Sequence, residues 1–422
     1  MNPVDETQPD APATVACPYC GQATRPGRFC STCGLALPAP GAAAPRPPAP
    51  PRRWRVVLAW SIVALMLVCV VLLVILSVGS VTALALGTVA AVVPAVVYGL
   101  IVLRLDRYEP EPPRMLVAAF GWGAVGAILL SVLAGIVAQP LLRTEEASAV
   151  IGAPFIEETF KGLALLVMLA LLRREIDNTL DGLIYGALMG LGFAMTENIL
   201  YFGSAYVEDG LVGLGVLFIA RAVIGGWGHA VYTGVTGAAV GWARGRYRRG
   251  ILRFVVPILG WMLAVALHAA WNGGLVLVIS GLGDDANLFV AVGILALLVV
   301  LPGLVLLGIV ARISHRKQLQ VMREQLAPEV RAGVLSPAEY AEITDDALRR
   351  ASLRQAARVG GKDLVRRQRR FFETAAELAF RKHHIANGEP LAPGQRAPDA
   401  VYREELAALR AQLPQPPTAR PA

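Results

Sequence analysis

Charged and polar side chains stand inside long apolar segments of this 422-residue sequence, and these are the residues that could do chemistry. They are Glu157, Glu158 and Lys161 in one segment, Glu197 and Asn198 in the next, His229 in a third, and His268 and Asn272 in a fourth. A charged side chain in such a segment costs several kcal/mol, so each needs a partner or a role. Carboxylates and imidazoles around one pool of water are the groups that activate water for amide hydrolysis.

The spacing inside the first of these segments separates a structural interpretation from a catalytic one. Glu157 and Lys161 are four residues apart on a helix and can form an ion pair, which would explain both as structure. Glu158 points about 100° away and faces a different neighbour, so the pair does not explain it. A lone Glu197 near a membrane surface, or a single buried histidine, would also be ordinary structure. Two histidines and three glutamates on four segments favour a functional site.

Motifs of several other hydrolases are absent from the sequence. No histidine is followed by glutamate, so there is no zinc-binding HExxH motif. Gly281 to Asp284 spell GxGD, but they are predicted in a loop, and no second aspartate occupies the middle of another segment. There is also no serine and histidine pairing of the rhomboid kind and no phosphate-binding glycine loop.

The segments that carry the candidate residues are long enough to cross a membrane. The composition is 55% hydrophobic and 17% charged, which excludes an ordinary soluble enzyme. About eight apolar runs of roughly 20 residues can each cross the ~30 Å hydrocarbon layer as a helix. We expect spans at residues 56–78, 81–103, 115–138, 147–172, 180–201, 211–242, 251–280 and 287–311. The predicted fold class is an all-α polytopic bundle of about eight transmembrane helices.

Basic residues mark one side of this bundle. They precede the first run and follow the second, fourth, sixth and eighth runs, whereas the other loops are mostly acidic. The positive-inside rule then predicts a plasma-membrane protein with both termini in the cytoplasm. In that orientation the glutamates and histidines lie in the outer half to the middle of the bilayer and can share one cavity. Because these loops and the tail account for the net charge of +8, no nucleic-acid partner is expected.

The first forty residues predict a metal site that is separate from the membrane chemistry. Two CxxC pairs, nine residues apart, contribute Cys17, Cys20, Cys30 and Cys33. Each pair places two thiolates at the bite that tetrahedral zinc requires. Four thiolates leave no open coordination position, so this zinc would be structural. Disulfides or a metal-free loop are the alternatives.

A linker and a tail complete the chain. Residues 35–51 are mostly proline and alanine and form a semi-extended spacer. In the tail, Ser336, Pro337 and Glu339 predict a helix start, and residues 366–370 are strongly basic. We interpret the tail as a helical appendage that touches the inner leaflet, with partner docking as the alternative. The predicted organisation is a zinc ribbon over 1–34, a linker over 35–55, a transmembrane core over 56–311 and a cytoplasmic helical tail over 312–422.

Five ordered motifs resemble the PrsW family of intramembrane proteases, which is related to the CAAX-processing and bacteriocin-immunity membrane protease superfamily. They are DRYEPEP from Asp106 to Pro112, EETFK from Glu157 to Lys161, DGLIYGALMGLGFAMTEN from Asp181 to Asn198, WGHAVYTGVTG around His229, and HAAWN from His268 to Asn272. The resemblance places the family's double-glutamate, FAxxEN and histidine motifs on Glu157 and Glu158, on Phe193, Ala194, Glu197 and Asn198, and on His229 and His268 with Asn272. The zinc ribbon and the tail lie outside the resemblance.

The resemblance implies cleavage of a membrane-bound protein, with an anti-sigma factor as the kind of substrate, and two mechanisms are open. In one, Glu157 or Glu158 is the general base while His229, His268 and Glu197 hold a catalytic zinc, which the resemblance favours. In the other, a glutamate and a histidine activate water without a metal, and His268 with Asn272 stabilises the oxyanion. From the residues alone, a proton-coupled transporter and a non-catalytic membrane scaffold also remain possible.

Overall fold

The computed structural model describes residues 15–16, 23–24, 53–106, 108, 111–171, 176, 178–246, 250–282, 288–387 and 398–414. Nearly all of these residues are helical, which confirms the predicted all-α membrane bundle. The chain divides into two compact units. The membrane unit covers Pro51–His315, and the tail unit covers Arg316–Ala422 and is grouped with Met1–Pro50.

The membrane unit is built from eleven helices among the described residues, the last of which continues into the tail unit. They are α1 (Arg53–Val78), α2 (Val81–Leu103), α3 (Pro113–Gly121), α4 (Ile128–Leu142), α5 (Glu145–Ala147), α6 (Ala153–Leu171), α7 (Thr179–Phe218), α8 (Gly228–Arg246), α9 (Leu252–Leu282), α10 (Leu288–Leu295) and α11 (Leu301–Arg331). Four π-helical segments lie between or beside them, at Trp122–Ala127, Ser148–Gly152, Ile219–Ile224 and Ala296–Val300. Such segments change the direction of side chains and often occur at functional sites.

Six helical segments of the described chain are long and apolar enough to cross a membrane. One of them, Thr179–Arg244, has 66 residues, about 100 Å of helix, which is too long for one crossing of a ~30 Å layer. It is interrupted at Gly210, whose φ is 64°, and at the non-helical residues 225–227. α6 is not among the six, since it carries three charged residues. The eight predicted crossings therefore stay a prediction.

The fifth and sixth predicted spans differ from the observed helices. α7 continues past residue 201, through a kink at Gly210, to Phe218. In the run 211–242, Arg221 and a glycine cluster predict a broken helix with the true span starting near Ala222. The observed break lies at residues 225–227, before α8. The reason is local: Gly210 adopts a non-helical conformation with positive φ that kinks α7, and residues 225–227 form a turn where a Cβ at Gly225 or Gly226 would meet Trp271 or Tyr98.

Glycines on α7 bring the candidate site together. Gly182, Gly186 and Gly190 repeat every four residues, and a Cβ at any of them would collide with the backbone of α8. At Gly190 the collision would be with the carbonyl oxygen of His229. The close helix approach that the glycine spacing predicts is confirmed. This close approach fixes the position of His229 along the α7 axis, next to Gly190.

The tail unit has a core of its own. It contains the end of α11, α12 (Pro337–Thr344), α13 (Asp346–Ala386) and α14 (Asp399–Arg410). The predicted helix start is confirmed, because Ser336 caps α12 and Glu339 bonds back to the Ser336 N–H. Phe371 and Phe372 of α13 are buried, and α13 bends at Gly361, whose φ is 63°.

Near the N-terminus the structure describes two short strands, β1 (Val15–Ala16) and β2 (Ala23–Thr24). They pair antiparallel, with Ala16 opposite Ala23. The four cysteines of the predicted zinc ribbon lie outside the described residues.

Candidate active site

α6 carries two adjacent glutamates and a lysine on its buried face. Lys161 Nζ lies 2.9 Å from Glu158 Oε1 and 3.2 Å from Glu157 Oε2, and the side chains of Lys161 and Glu158 are fully buried. The ammonium also lies 3.6 Å from the centre of the Phe193 ring on α7. Lys161 therefore pairs with both acids, whereas the sequence predicted only the pair with Glu157. The reason is that the long lysine side chain reaches positions three and four residues back on the same helix.

His229 on α8 and His268 on α9 meet at these acids, with ring centres 4.9 Å apart. His268 Nδ1 lies 3.3 Å from Glu158 Oε1, and its Nε2 lies 4.0 Å from Glu157 Oε2. Thr233, one turn after His229, donates its hydroxyl to Glu158 Oε2 at 2.9 Å. Glu158 is thus bonded by donors on α6, α8 and α9, which is how a buried carboxylate is satisfied.

Glu197 on α7 contacts the opposite side of His229. Its Oε2 lies 3.1 Å from His229 Nε2 and 2.6 Å from Nη2 of Arg221, in the π-helical segment after α7. Arg221 Nε also donates to Asn198 Oδ1 at 2.9 Å, and its guanidinium lies 3.9 Å from the Tyr201 ring centre. Sequence reasoning used Arg221 only as a sign of a broken helix. The signal that could have identified it is an arginine in an apolar run near an otherwise unpaired glutamate.

The partners of the two histidines define their neutral tautomers. A carboxylate only accepts hydrogen bonds and an ammonium only donates them. His229 therefore donates from Nε2 to Glu197 and accepts at Nδ1 from Lys161, 3.2 Å away. His268 donates from Nδ1 to Glu158, so its Nε2 holds the lone pair. Nε2 of His268 therefore lies 4.0 Å from Glu157 Oε2 without a hydrogen bond among the described residues, whereas both nitrogens of His229 are engaged.

A cavity of about 1120 Å³ lies beside this network and is lined by α4, α6, α7 and the segment before α6. Glu157 and Glu197 both line it, with side chains 11% and 17% exposed. Glu158, His229 and His268 are not among the lining residues. The cavity is thus a place where water and a peptide can meet two carboxylates, backed by a buried hydrogen-bond network.

Four side chains form a donor set that suits a metal ion. They are Glu157, Glu158, His229 and His268, each with one ligand atom, and these atoms lie within 4.8 Å of one another. Carboxylate oxygen and imidazole nitrogen are ordinary zinc ligands, so the donor chemistry fits. Glu197, the third predicted zinc ligand, is not in this set and bonds to Nε2 of His229. Lys161 contacts three of the four donors, so its ammonium and a metal ion would compete for them.

The two asparagines of the predicted site are placed differently from its acids and histidines. Asn198 is bonded to Arg221, beside Glu197. Asn272 donates its amide to the carbonyl of Ala149 at 2.8 Å, and thereby ties α9 to the segment that lines the cavity. Tyr232, which the sequence analysis did not single out, stacks on His268 with ring centres 4.9 Å apart and fixes the plane of that imidazole.

The first motif of the resemblance lies in the connection between α2 and α3. Asp106 Oδ2 accepts from the Glu111 N–H at 2.6 Å, and Tyr185 of α7 donates to Glu111 Oε2 at 2.6 Å. Burial raises the pKa of Asp106 to about 6, although the bond from the Glu111 N–H lowers it. These contacts hold the connection against α7, so we assign this motif a structural role.

Comparison with known proteins points to one family. A family model described as PrsW family intramembrane metalloprotease matches residues 111–304, which include every acid and histidine of the site. Protease PrsW of Halalkalibacterium halodurans is 30% identical over 196 residues, 44% of this chain and 82% of that protein.

Two further relatives carry the same name. Protease PrsW of Bacillus subtilis is 29% identical over 165 residues, 36% of this chain and 69% of that protein. Protease PrsW of Geobacillus kaustophilus is 29% identical over 140 residues, 33% of this chain, and the chain spans 58% of that relative's length. No solved structure matches the chain.

Proposed function

The chain belongs to the PrsW family, and from that premise we propose that it is an intramembrane protease that hydrolyses a peptide bond in the cavity beside Glu157. The observation that carries the proposal is that three glutamates and two histidines from four helices form one network beside a cavity, and that Glu157 and Glu197 of this network line the cavity. A scaffold or an apolar bundle has no need of so many buried ionisable groups at one point.

We propose Glu157 as the general base. A base must reach the water that it deprotonates, and Glu157 lines the cavity, whereas Glu158 is completely buried and bonded by three donors. Glu157 takes a proton from water while the water oxygen bonds to the peptide carbonyl carbon. The Glu157 carboxyl group then returns that proton to the amine nitrogen as the C–N bond breaks, and Nε2 of His268 lies behind it, 4.0 Å from Glu157 Oε2.

The remaining charged groups position these two. Glu158 fixes the tautomer of His268 and anchors Lys161 and Thr233. Arg221 and His229 hold Glu197 at the cavity wall, where its carboxylate can accept a hydrogen bond from a backbone N–H of the substrate. Each of these groups orients a residue that contacts water or substrate, as the hydrogen-bond partners of metal ligands do in other hydrolytic sites.

We propose zinc as the alternative to this metal-free route, which the family description and the donor chemistry support: His229, His268, Glu157 and Glu158 would then be ligands of the ion, and Glu157 would no longer be a free base. Such an ion would polarise the peptide carbonyl and lower the pKa of a bound water. Zinc analysis of a full-length variant with Cys17, Cys20, Cys30 and Cys33 all replaced by serine tests this, because zinc that stays bound is then held outside the ribbon. Loss of all zinc, with cleavage intact, would refute it.

The substrate that we propose is a membrane-bound regulatory protein of the anti-sigma-factor kind, cut in a segment close to the outer leaflet. This rests on the family and on the cavity, which is lined by apolar side chains and by polar groups such as Gln139, Ser148 and Ser204. A protein segment at the point where it leaves a bilayer has apolar residues on one side and polar residues on the other, and so matches both kinds of lining.

We further propose eight crossings of the plasma membrane with both termini in the cytoplasm, on the distribution of basic loops. A structural zinc on Cys17, Cys20, Cys30 and Cys33 is part of the same proposal. The antiparallel pairing of β1 and β2 supports it, because Ala16, which precedes Cys17, lies opposite Ala23, three residues after Cys20.

Comparison of membrane proteins from cells that produce the wild type or Glu157→Gln tests the function. We expect at least one membrane protein to be cut by the wild type and to accumulate uncut with the variant. Glu146→Gln is the matched control, since Glu146 is exposed and does not line the cavity. If no membrane protein differs between the wild type and Glu157→Gln, the proposed activity is wrong. If Glu157→Gln cuts normally and Glu158→Gln does not, only the choice of base is wrong.

A further inference from the structure

We propose that the tail unit binds a phosphate-bearing anion in a cavity at the bend of α13. The cavity has a volume of about 800 Å³ and includes Gly361, where α13 bends. Ligand sites in proteins commonly have volumes of about 300–1,000 Å³, so a small molecule or a headgroup fits. Five basic side chains line it: Lys362, Arg366, Arg367, Arg369 and Arg370. Glu373 is the one acidic residue among the lining residues.

Most of these cations lack an internal counter-charge. The charge of Arg370 is balanced within the tail unit, because its guanidinium forms salt bridges with Glu377 at 3.0 Å and with Glu405 at 2.9 Å. Arg366 has a single loose contact of 3.6 Å with Asp363, and both side chains are largely exposed. Within the described parts of the chain, the other three basic residues make no salt bridge. The cavity therefore concentrates positive charge that the tail unit itself does not neutralise.

This arrangement is unfavourable for the helix alone. Lys362 and Arg366 are four residues apart, as are Arg366 and Arg370, and like charges at that spacing repel on a helix. Between residues 350 and 370 the only acidic residue is Asp363. A bound anion would offset the repulsion, and guanidinium groups match phosphate oxygens with paired hydrogen bonds.

The other lining residues restrict the ligand further. Ala357, Val365 and Leu409 add an apolar patch to the same cavity. A ligand with a phosphate and an apolar portion satisfies both surfaces. An anionic phospholipid has this chemistry, and so has a soluble phosphorylated molecule. The experiment below separates the two sources by offering phosphate with and without a lipid.

The test uses the full-length protein in detergent. Phosphatidylglycerol and phosphatidylcholine are added separately and bound lipid is counted by native mass spectrometry, while inorganic pyrophosphate is titrated by calorimetry. The cavity variant is Arg367→Glu, Arg369→Glu. The matched control is Arg354→Glu, Arg358→Glu, which makes the same charge change at exposed positions of the same helix outside the cavity.

We expect phosphatidylglycerol or pyrophosphate to bind the wild type, and the cavity variant to bind it about tenfold more weakly or worse. The control should stay within about twofold, because neither of its arginines lines the cavity. Loss of phosphatidylglycerol alone identifies a lipid site, and loss of pyrophosphate identifies a soluble ligand. Equal losses in both variants, or no binding of either probe to the wild type, would overturn the proposal. Unchanged helical circular dichroism shows that the variants are folded.

Discussion

Replacing Lys161 by methionine tests whether its ammonium holds the acid pair inside the bundle. The change removes the charge and keeps most of the apolar length. It leaves Glu157 and Glu158 without the cation that lies 3.2 and 2.9 Å from them. Removing one partner of a buried ion pair costs about 3–5 kcal/mol, since the other charge stays buried and uncompensated. At about 2–4 °C of Tm per kcal/mol, the expected fall is about 6–20 °C.

The assay is thermal unfolding of the full chain in one detergent, with Lys317→Met as the control. Lys317 is exposed, so its replacement should change stability by no more than about 0.5 kcal/mol. The double variant Lys161→Met, Glu158→Gln should recover part of the loss, because it removes one of the two stranded charges. A Lys161→Met protein as stable as the control would refute the reasoning, since it would show that the acids do not depend on this cation.

Three further outcomes are expected. Arg221→Gln should lower kcat about 10–100-fold with little change in KM, because Glu197 loses its orienting partner; an effect on KM alone would contradict this. Gly190→Ala should lower the yield of folded protein, since its Cβ would strike the backbone of α8, whereas Gly215→Ala, with open space around it, should be neutral or slightly stabilising. The raised pKa of Asp106 means that its contribution to stability is complete below about 3.8 and is lost as pH rises through about 6. The Tm of the wild type should therefore fall relative to that of Asp106→Asn between about pH 4 and pH 7, and a constant difference would count against it.

The fold could be predicted to the extent that it follows from patterns along one segment. Apolar runs and the four-residue spacing of Gly182, Gly186 and Gly190 depend only on helix period and bilayer thickness, and the bundle and the α7–α8 contact agree with them. The continuation of α7 to Phe218 could not be predicted in the same way. It depends on Gly210 bending the chain by a backbone angle that its neighbours in sequence do not specify.

The site was predictable as a set of residues and not as a set of bonds. The cost of burying charge singles out the glutamates and histidines, and the structure brings them together. Which group bonds to which depends on helix rotation and lateral packing, which one sequence does not contain. For this reason the structure was needed to identify three contacts. Lys161 bonds both Glu157 and Glu158, Thr233 bonds Glu158, and Arg221 bonds Glu197.

The helices on the two sides of the cavity are held in place by different interactions. The polar network crosses α6, α7, α8 and α9, whereas α4 makes no side-chain hydrogen bond to them within the described chain. Its side away from the cavity carries exposed Leu133 and Val137. An incoming transmembrane helix can displace α4 at the expense of apolar packing alone, while passage between α7 and α8 would break charged bonds. We therefore expect a substrate helix to enter the cavity from the lipid past α4 and not between α7 and α8. The size of the α4 side chains should then determine which transmembrane helices can enter.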